Sequence, residues 1–322
     1  MDYRYYCASL KDNDRIMKSS SGGVAYAMCE YVINHQGIAY GVEYMPDFTG
    51  AQYIRVDKKE KIEKICGSKY ITTNKQLKGK NLYENIFDDL LSGGYVLFIG
   101  LPCEVSALYK YLDRHDHKNL EKLLTVDLVC QGPLDSEIQT QYIRFLEKKY
   151  KSSIIDFSVR FKNPNWTPIY LKALFENGKQ HIKPLYETDF GRAFLIYGQE
   201  YCYVCENKGD NHKADLTLGD FWGMTPKDEE YNIKGVSVVI THNEKGDNLF
   251  RSLESITWNE ITKEKAIGSN VMYSVPRKKH PKFEDFKEQY ALSGLHKAVF
   301  KVRSFSGKIK YFILYFAGKR PY

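Results

Sequence analysis

The chain has 322 residues, 43% of them hydrophobic and 14% aromatic, enough to build a real core in one large domain or two smaller ones. Its formal charge of +7 is uneven: residues 300–322 carry six basic side chains and no acid, leaving 41 basic against 40 acidic residues elsewhere, so a nucleic-acid-binding body is poorly supported. The start, Met1-Asp2-Tyr3-Arg4, has no apolar signal segment, and seven cysteines without small-scaffold spacing fit reduced thiols in a cytoplasmic protein better than a disulfide framework.

Residues 3–10 read as a first strand, and Lys11-Asp12-Asn13-Asp14 as a polar turn. Ser19-Ser20-Ser21-Gly22-Gly23 then runs into a helical stretch from Val24 to Ile33. Serines at a helix start cap free N–H groups, glycines admit a ligand to the backbone, and the helix start favours an anion. The segment therefore reads either as a phosphate cradle or as an ordinary capped helix. Strands follow at 38–44 and 51–56, and Gly67-Ser68-Lys69-Tyr70 forms a second glycine–serine turn with a cation beside it. Residues 76–91 have helical periodicity, ended by Gly93-Gly94.

The apolar runs at 95–99 and 123–129 read as buried parallel strands. The first ends in Gly100-Leu101-Pro102-Cys103, with Pro102 suited to the first turn of a helix reaching Leu112. The second ends in Cys130-Gln131-Gly132-Pro133, before a helix at 136–150. Ligands of open α/β sheets gather at strand carboxyl ends, so Cys103 and Cys130 are expected as neighbours on one rim. Residues 154–161, 170–176 and 179–186 look antiparallel, with Glu176-Asn177-Gly178 as a hairpin turn. A short helix at 189–197 leads to Cys202-Tyr203-Val204-Cys205, a pair able to grip one metal, to act as a redox dithiol, or to be two unrelated thiols. A strand at 214–218 then ends in Gly219-Asp220-Phe221-Trp222-Gly223, an acid and two aromatics that suggest a cofactor rim. A strand at 235–241, a helix at 243–253 and a polar helix at 281–302 with few core positions complete the series.

Six of these segments occur in a specific order: Ser-Ser-Ser-Gly-Gly, Gly-Ser-Lys-Tyr, Gly-Leu-Pro-Cys, Asp-Leu-Val-Cys-Gln-Gly, the Cys202/Cys205 pair with Lys208-Gly209 behind it, and Thr-Leu-Gly-Asp-Phe-Trp-Gly. The set resembles the coenzyme F-420 hydrogenase/dehydrogenase beta-subunit family over roughly residues 3–253. The resemblance implies an iron–sulfur flavoprotein with FAD and one 4Fe–4S cluster, the cluster held by Cys103, Cys130, Cys202 and Cys205. It implies FAD phosphates at Ser20, Ser21, Gly22 and Gly23 and near Gly67, Ser68 and Lys69, with Asp127, Gln131, Asp220 and Trp222 lining the site. Lys69 and Tyr70 are the expected catalytic side chains. Cys29 reads as a core thiol on a helix face; Cys7 and Cys66 have no assigned role. Relatives commonly carry histidine after the second single cysteine, whereas Gln131 here hydrogen-bonds but does not titrate. Relatives also commonly begin with a ferredoxin module that this sequence starts beyond, so electrons are expected from a separate ferredoxin-like donor.

The expected fold is α/β: a largely parallel sheet with flanking helices, a smaller antiparallel β portion and a helical C-terminal tail. The expected division is a flavin-binding region at 1–152, an iron–sulfur region at 153–280 and a basic tail at 281–322. The function expected is a flavin-dependent iron–sulfur oxidoreductase acting on an organic substrate, as in relatives from polysaccharide-synthesis loci. The rival is a non-catalytic electron-transfer or assembly subunit, and a third is a zinc-stabilised transferase. A small molecule or sugar is the expected substrate, and a homo-oligomer is admitted. Residues 309–317, aromatic and bracketed by lysines, are too short to span a bilayer but suit contact with the inner face of a membrane; a helix packed on the body reads equally well there.

Overall fold

The computed structural model describes residues 3–115 and 120–303. In chain order its strands are β1 (Arg4–Leu10), β2 (Ile38–Tyr44), β3 (Ala51–Val56), β4 (Thr73–Asn74), a small hairpin of β5 (Gln76–Leu77) and β6 (Lys80–Asn81), β7 (Val96–Gly100), β8 (Leu123–Leu128), β9 (Ile154–Phe161), β10 (Tyr170–Phe175), β11 (Gln180–Pro184), β12 (Leu216–Asp220), β13 (Ser237–Thr241) and β14 (Ile256–Glu260). The helices are α1 (Asn13–Lys18), α2 (Val24–Asn34), α3 (Ile62–Ile65), α4 (Leu82–Leu91), α5 (Pro102–Leu112), α6 (Ser136–Tyr150), α7 (Asp189–Ile196), α8 (Glu244–Arg251), α9 (Lys263–Ile267), α10 (Val271–Ser274) and α11 (Phe283–Val302).

Nine strands form one sheet in the order β14-β1-β13-β12-β8-β7-β2-β3-β4. Its centre, β12-β8-β7-β2, is parallel, and its flanks β14-β1-β13 and β3 join antiparallel. Alternation along β7 explains why the centre is apolar throughout. Val96 and Phe98 pack under α4 and α5, whereas Leu97 packs under α2. Both faces are covered, as a parallel sheet requires. Because β1 lies between β13 and β14, this sheet draws strands from both sides of residue 152. The mixed α/β architecture is the one expected, including the separate antiparallel sheet β9-β10-β11.

Three local differences have physical causes. Asp12 is not part of a plain turn: its carboxylate accepts from the amides of Asp14 and Arg15 and so starts α1. The helix expected over 76–91 begins only at Leu82, since the β5–β6 hairpin takes up the first six residues and Asn81 caps what remains. The C-terminal helix α11 is not poor in core positions. Phe283, Phe286, Leu295, Ala298, Val299 and Val302 are buried, and those from Phe286 onward join α6, α7 and the small sheet in one core. A break at Gly294, at φ 79°, shifts the buried face mid-helix and hides the periodicity from a sequence reading. The membrane-contact expectation for 309–317 lies outside the described residues, among which no helix is long and apolar enough to cross a membrane.

One rim of the large sheet gathers the motifs. The parallel strands β7, β8 and β12 end there in Pro102-Cys103, Val129-Cys130 and Phe221-Trp222. The Ser19–Gly23 turn joins them from beyond β1, with the Gly22 carbonyl accepting from Leu10 N at 2.8 Å. Gly22 is required by this packing. A Cβ there would lie 2.3 Å from the Ala8 carbonyl oxygen and 2.8 Å from Ser237 N, both rigid backbone. Gly22→Ala is therefore expected to lower stability by about 1–3 kcal/mol in urea unfolding, the usual cost of forced overpacking; an unchanged midpoint would mean that the turn is looser than drawn.

Candidate functional site: a cavity beside four thiols

The rim opens into a cavity of about 620 Å³, within the range of about 300–1,000 Å³ typical of small-molecule and cofactor sites. Its wall brings together Ser20, Ser21, Gly23, Gly67, Ser68, Lys69, Tyr70, Gln131, Asp220 and Trp222 from separate segments of the chain. The two serine turns meet directly, the hydroxyls of Ser20 and Ser68 standing 2.9 Å apart. Above them α2 starts at Gly23, whose φ of 85° suits glycine, with no side chain capping its first amides. Val24, Ala25 and Tyr26 of that uncapped turn line the cavity. Free amides at a helix start suit an anion.

A residue given no role in the sequence reading organises the wall. Arg160, on β9, makes a two-pronged ion pair with Asp220, Nη1 to Oδ2 at 2.8 Å and Nη2 to Oδ1 at 2.9 Å. The same guanidinium donates to the Ser20 carbonyl at 2.9 Å and to the Tyr70 hydroxyl at 3.1 Å. Burial works against its charge, but Asp220 and Tyr70 outweigh it and hold its pKa above the ordinary value. Trp166 and Trp222 lie 4.6 Å apart, with Arg160 5.9 and 5.8 Å from their ring centres. Two residues on, Lys162 is buried and donates to the carbonyls of Ile16 at 2.6 Å and Ser21 at 2.7 Å. Burial, then Arg160, pulls its pKa down to about 7. The sequence signal was faint: two cations two residues apart at the end of a strand that also carries Asp156 and Ser158, which reads as a solvent-facing edge.

The two expected catalytic side chains differ in what they can do. Lys69 is buried, with Nζ donating to the carbonyls of Cys66 at 2.6 Å and Gly67 at 3.0 Å, and burial brings its pKa down to about 8. It closes its own turn, and its protons are committed to backbone. Tyr70 has its ring stacked on Phe194 at 4.5 Å and φ at 26°, an uncommon conformation for a side-chain-bearing residue. Its hydroxyl is held by Arg160 at the cavity wall. Gly22, expected at the phosphates, and Asp127, expected in the lining, do not reach the cavity. Gly22 faces the sheet backbone, and Asp127 is fully buried, accepting from His212 Nδ1 at 2.6 Å and the Thr217 hydroxyl at 2.5 Å.

Beside the cavity stand the four motif cysteines. Cys103 sits in the first turn of α5 and is exposed, while Cys130, Cys202 and Cys205 are half-buried. Gly132 holds the two halves together: a Cβ on it would lie 2.8 Å from Cys202 Sγ, and its amide donates to Cys130 Sγ at 3.2 Å. Desolvation pushes Cys103 up to about 12, with Glu104, Cys130 and Cys205 adding to the rise. Cys202 is pushed up to about 11 by burial and then by Cys103 and Cys205. Burial raises Cys130 to about 11 against the pull of the Gly132 amide and Lys208. Cys103 is thus within electrostatic reach of the other three cysteines.

Two buried cations flank this group. Lys208 Nζ donates to the Cys130 carbonyl and to the Met272 carbonyl, both at 2.5 Å, tying the cysteine turn to the cavity wall. Arg277 donates through Nη2 to the carbonyls of Phe194 and Leu195, each at 2.7 Å, while its buried Nη1 has no hydrogen-bond partner. Its charge pulls the Cys202 pKa down. In the sequence Arg277 opens a run of cations that looks like a solvated surface, which is why it carried no signal. Among the described residues no three or more His, Cys, Asp or Glu side chains converge on a single metal ion. A tetrahedral zinc with four sulfurs at about 2.3 Å needs those sulfurs within about 4 Å of one another.

The fold and site define a mixed α/β protein with a cofactor-sized cavity at the carboxyl rim of a parallel sheet centre. Residues 94–266 match the family described as the C terminus of the coenzyme F420 hydrogenase/dehydrogenase beta subunit, and the chain belongs to that family. Among curated proteins none matches the chain. Among solved structures, a chain of the xenon-derivatized F420-reducing NiFe hydrogenase complex from Methanosarcina barkeri matches with a TM-score of 0.55 and 17% identity, covering 91% of this chain and 95% of that one. At that identity the likeness is one of fold.

Proposed function

We propose that this chain is a redox subunit holding FAD in the cavity and one 4Fe–4S cluster on Cys103, Cys130, Cys202 and Cys205. The observation that carries the reading is the double position of Cys130: it belongs to the four-thiol group and also lines the cavity. The donor set supports the fit. Four thiolates around iron and sulfide form an anionic centre, larger than a single ion. The orphaned, buried Arg277 Nη1 and the Lys208 ammonium supply positive charge on its flank. Such a centre moves single electrons, and a flavin takes them up singly and gives them up in pairs.

The chain's own residues then have definite tasks. The uncapped start of α2, with Ser20 and Ser68, binds phosphate oxygens. Gln131 offers an amide to a flavin edge without moving a proton. Lys69 and Lys162 keep the two serine turns in place through backbone carbonyls. Tyr70 brings a transferable proton to the wall, its hydroxyl held by Arg160. The acceptor is an organic molecule; many relatives sit among polysaccharide-synthesis genes, which makes a sugar intermediate the first to test. The electron donor is a separate ferredoxin-like protein.

Serine substitutions test the ligand set. Cys103→Ser is expected to lower bound iron after anaerobic purification, and Cys29→Ser, at a buried position of α2 itself, to leave it unchanged. Equal iron in both variants would remove Cys103 from the set.

A further inference from the structure

We propose that the exposed side of the four thiols is the docking surface for an acidic, single-electron carrier protein. The inference rests on the redox reading above and adds where the carrier binds. The thiol group has two sides. Cys130 faces the cavity, whereas Cys103 is exposed to solvent. Tyr201, next to Cys202 in the chain, marks the outer side: it is 60% exposed. Charge exchanged with another protein has its shortest route here.

This side is unusually apolar for a free surface. Tyr201 and Val204, 74% exposed, belong to the cysteine turn itself, and Leu195 and Val275 are exposed beside it. Contacts join them into one neighbourhood. Arg277, two residues after Val275, donates through Nη2 to the Leu195 carbonyl at 2.7 Å, and a Cβ on Gly198 would lie 2.9 Å from its Nη1 and 3.2 Å from the hydroxyl of Tyr203 in the cysteine turn. Contiguous exposed apolar surface rimmed by polar groups marks a protein contact.

The rim decides the partner. Lys278, Lys279 and Lys282 follow Val275 and the buried Arg277 with no acid between them. Lys279 lies 4.4 Å from the Phe283 ring and Lys287 5.8 Å, and that ring touches Tyr203 of the cysteine turn at 5.5 Å. Glu284 and Glu200 pair with Lys279 and Lys287, while Lys278 and Lys282 carry their charge outside the ion pairs of the described residues. Such a rim steers an acidic partner and repels a basic one.

The probe is a chemically reduced acidic two-iron ferredoxin mixed with full-length holoprotein in stopped flow, and dithionite serves as the reductant that needs no docking. Lys278→Glu with Lys279→Glu, and separately Val275→Glu, are expected to slow reduction by ferredoxin about tenfold. Both are expected to leave reduction by dithionite, iron content and flavin content at wild-type values. The wild-type ferredoxin rate is expected to fall as salt rises, and that of the charge-reversed variant to depend less on salt. Equal ferredoxin rates in all three proteins would overturn the docking assignment. So would a concentration-dependent dimer that Val275→Glu dissolves, since the face would then belong to a second copy. A wild-type protein holding neither iron nor flavin would instead sink the redox reading beneath it.

Discussion

Arg160→Met is expected to lower the unfolding free energy by about 3 kcal/mol and to leave the purified protein without bound flavin. Removing one partner of a buried ion pair costs about 3–5 kcal/mol, because the other charge stays behind uncompensated. Asp220 keeps some exposure, 17% of its side chain, which puts the expectation at the lower end. The Ser20 carbonyl and the Tyr70 hydroxyl lose a donor in the same substitution. These groups belong to three sequence motifs far apart in the chain, so the damage spreads along the whole cavity wall. Asp220→Asn keeps an acceptor for the guanidinium and is expected to lose less. The double substitution Arg160→Met with Asp220→Leu is expected to recover part of the stability but none of the flavin. Urea unfolding reads the first effect, and flavin released on denaturation reads the second. Full flavin content in Arg160→Met would show that the wall forms without this knot.

Lys208→Met is expected to cost about 2–4 kcal/mol and most of the bound iron. Its ammonium is the donor shared by the Cys130 and Met272 carbonyls, which belong to the strand rim and to the cavity wall. An unpaired buried acceptor costs about 1–3 kcal/mol, and here two are orphaned together. The positive charge beside Cys130 and Cys202 disappears as well, and both thiols then rise further from their ionised forms. Lys208→Arg keeps the charge and is expected to retain most of the iron with weaker stability, since a guanidinium does not place one nitrogen between two carbonyls. Iron assay and thermal unfolding on the anaerobic protein check both effects. If Lys208→Met held iron as the native chain does, the clip would be structural only.

The contrast between Cys130 and Arg160 shows where the sequence was informative. Cys103 and Cys130 each follow an apolar run that reads as a buried strand, and consecutive parallel strands put their ends side by side. The rim was therefore legible from local pattern. The wall was not. Arg160, Lys162 and Arg277 act through bonds to residues 50 or more positions away, and nothing next to them in the chain announces those partners. Asp127 failed in the opposite sense. It precedes a motif cysteine, but strand alternation turns its carboxylate away from the cavity, towards His212. The kink at Gly294 similarly disguised α11, whose buried residues switch face halfway along.

The central claim is that the cavity and the four thiols serve one electron path, and the composition of the native protein tests it most directly. Purified without oxygen, the full-length chain is expected to be coloured and to yield about four iron, four sulfide and one flavin per chain, with a paramagnetic signal on reduction. Colourless protein carrying stoichiometric zinc and no flavin would contradict it.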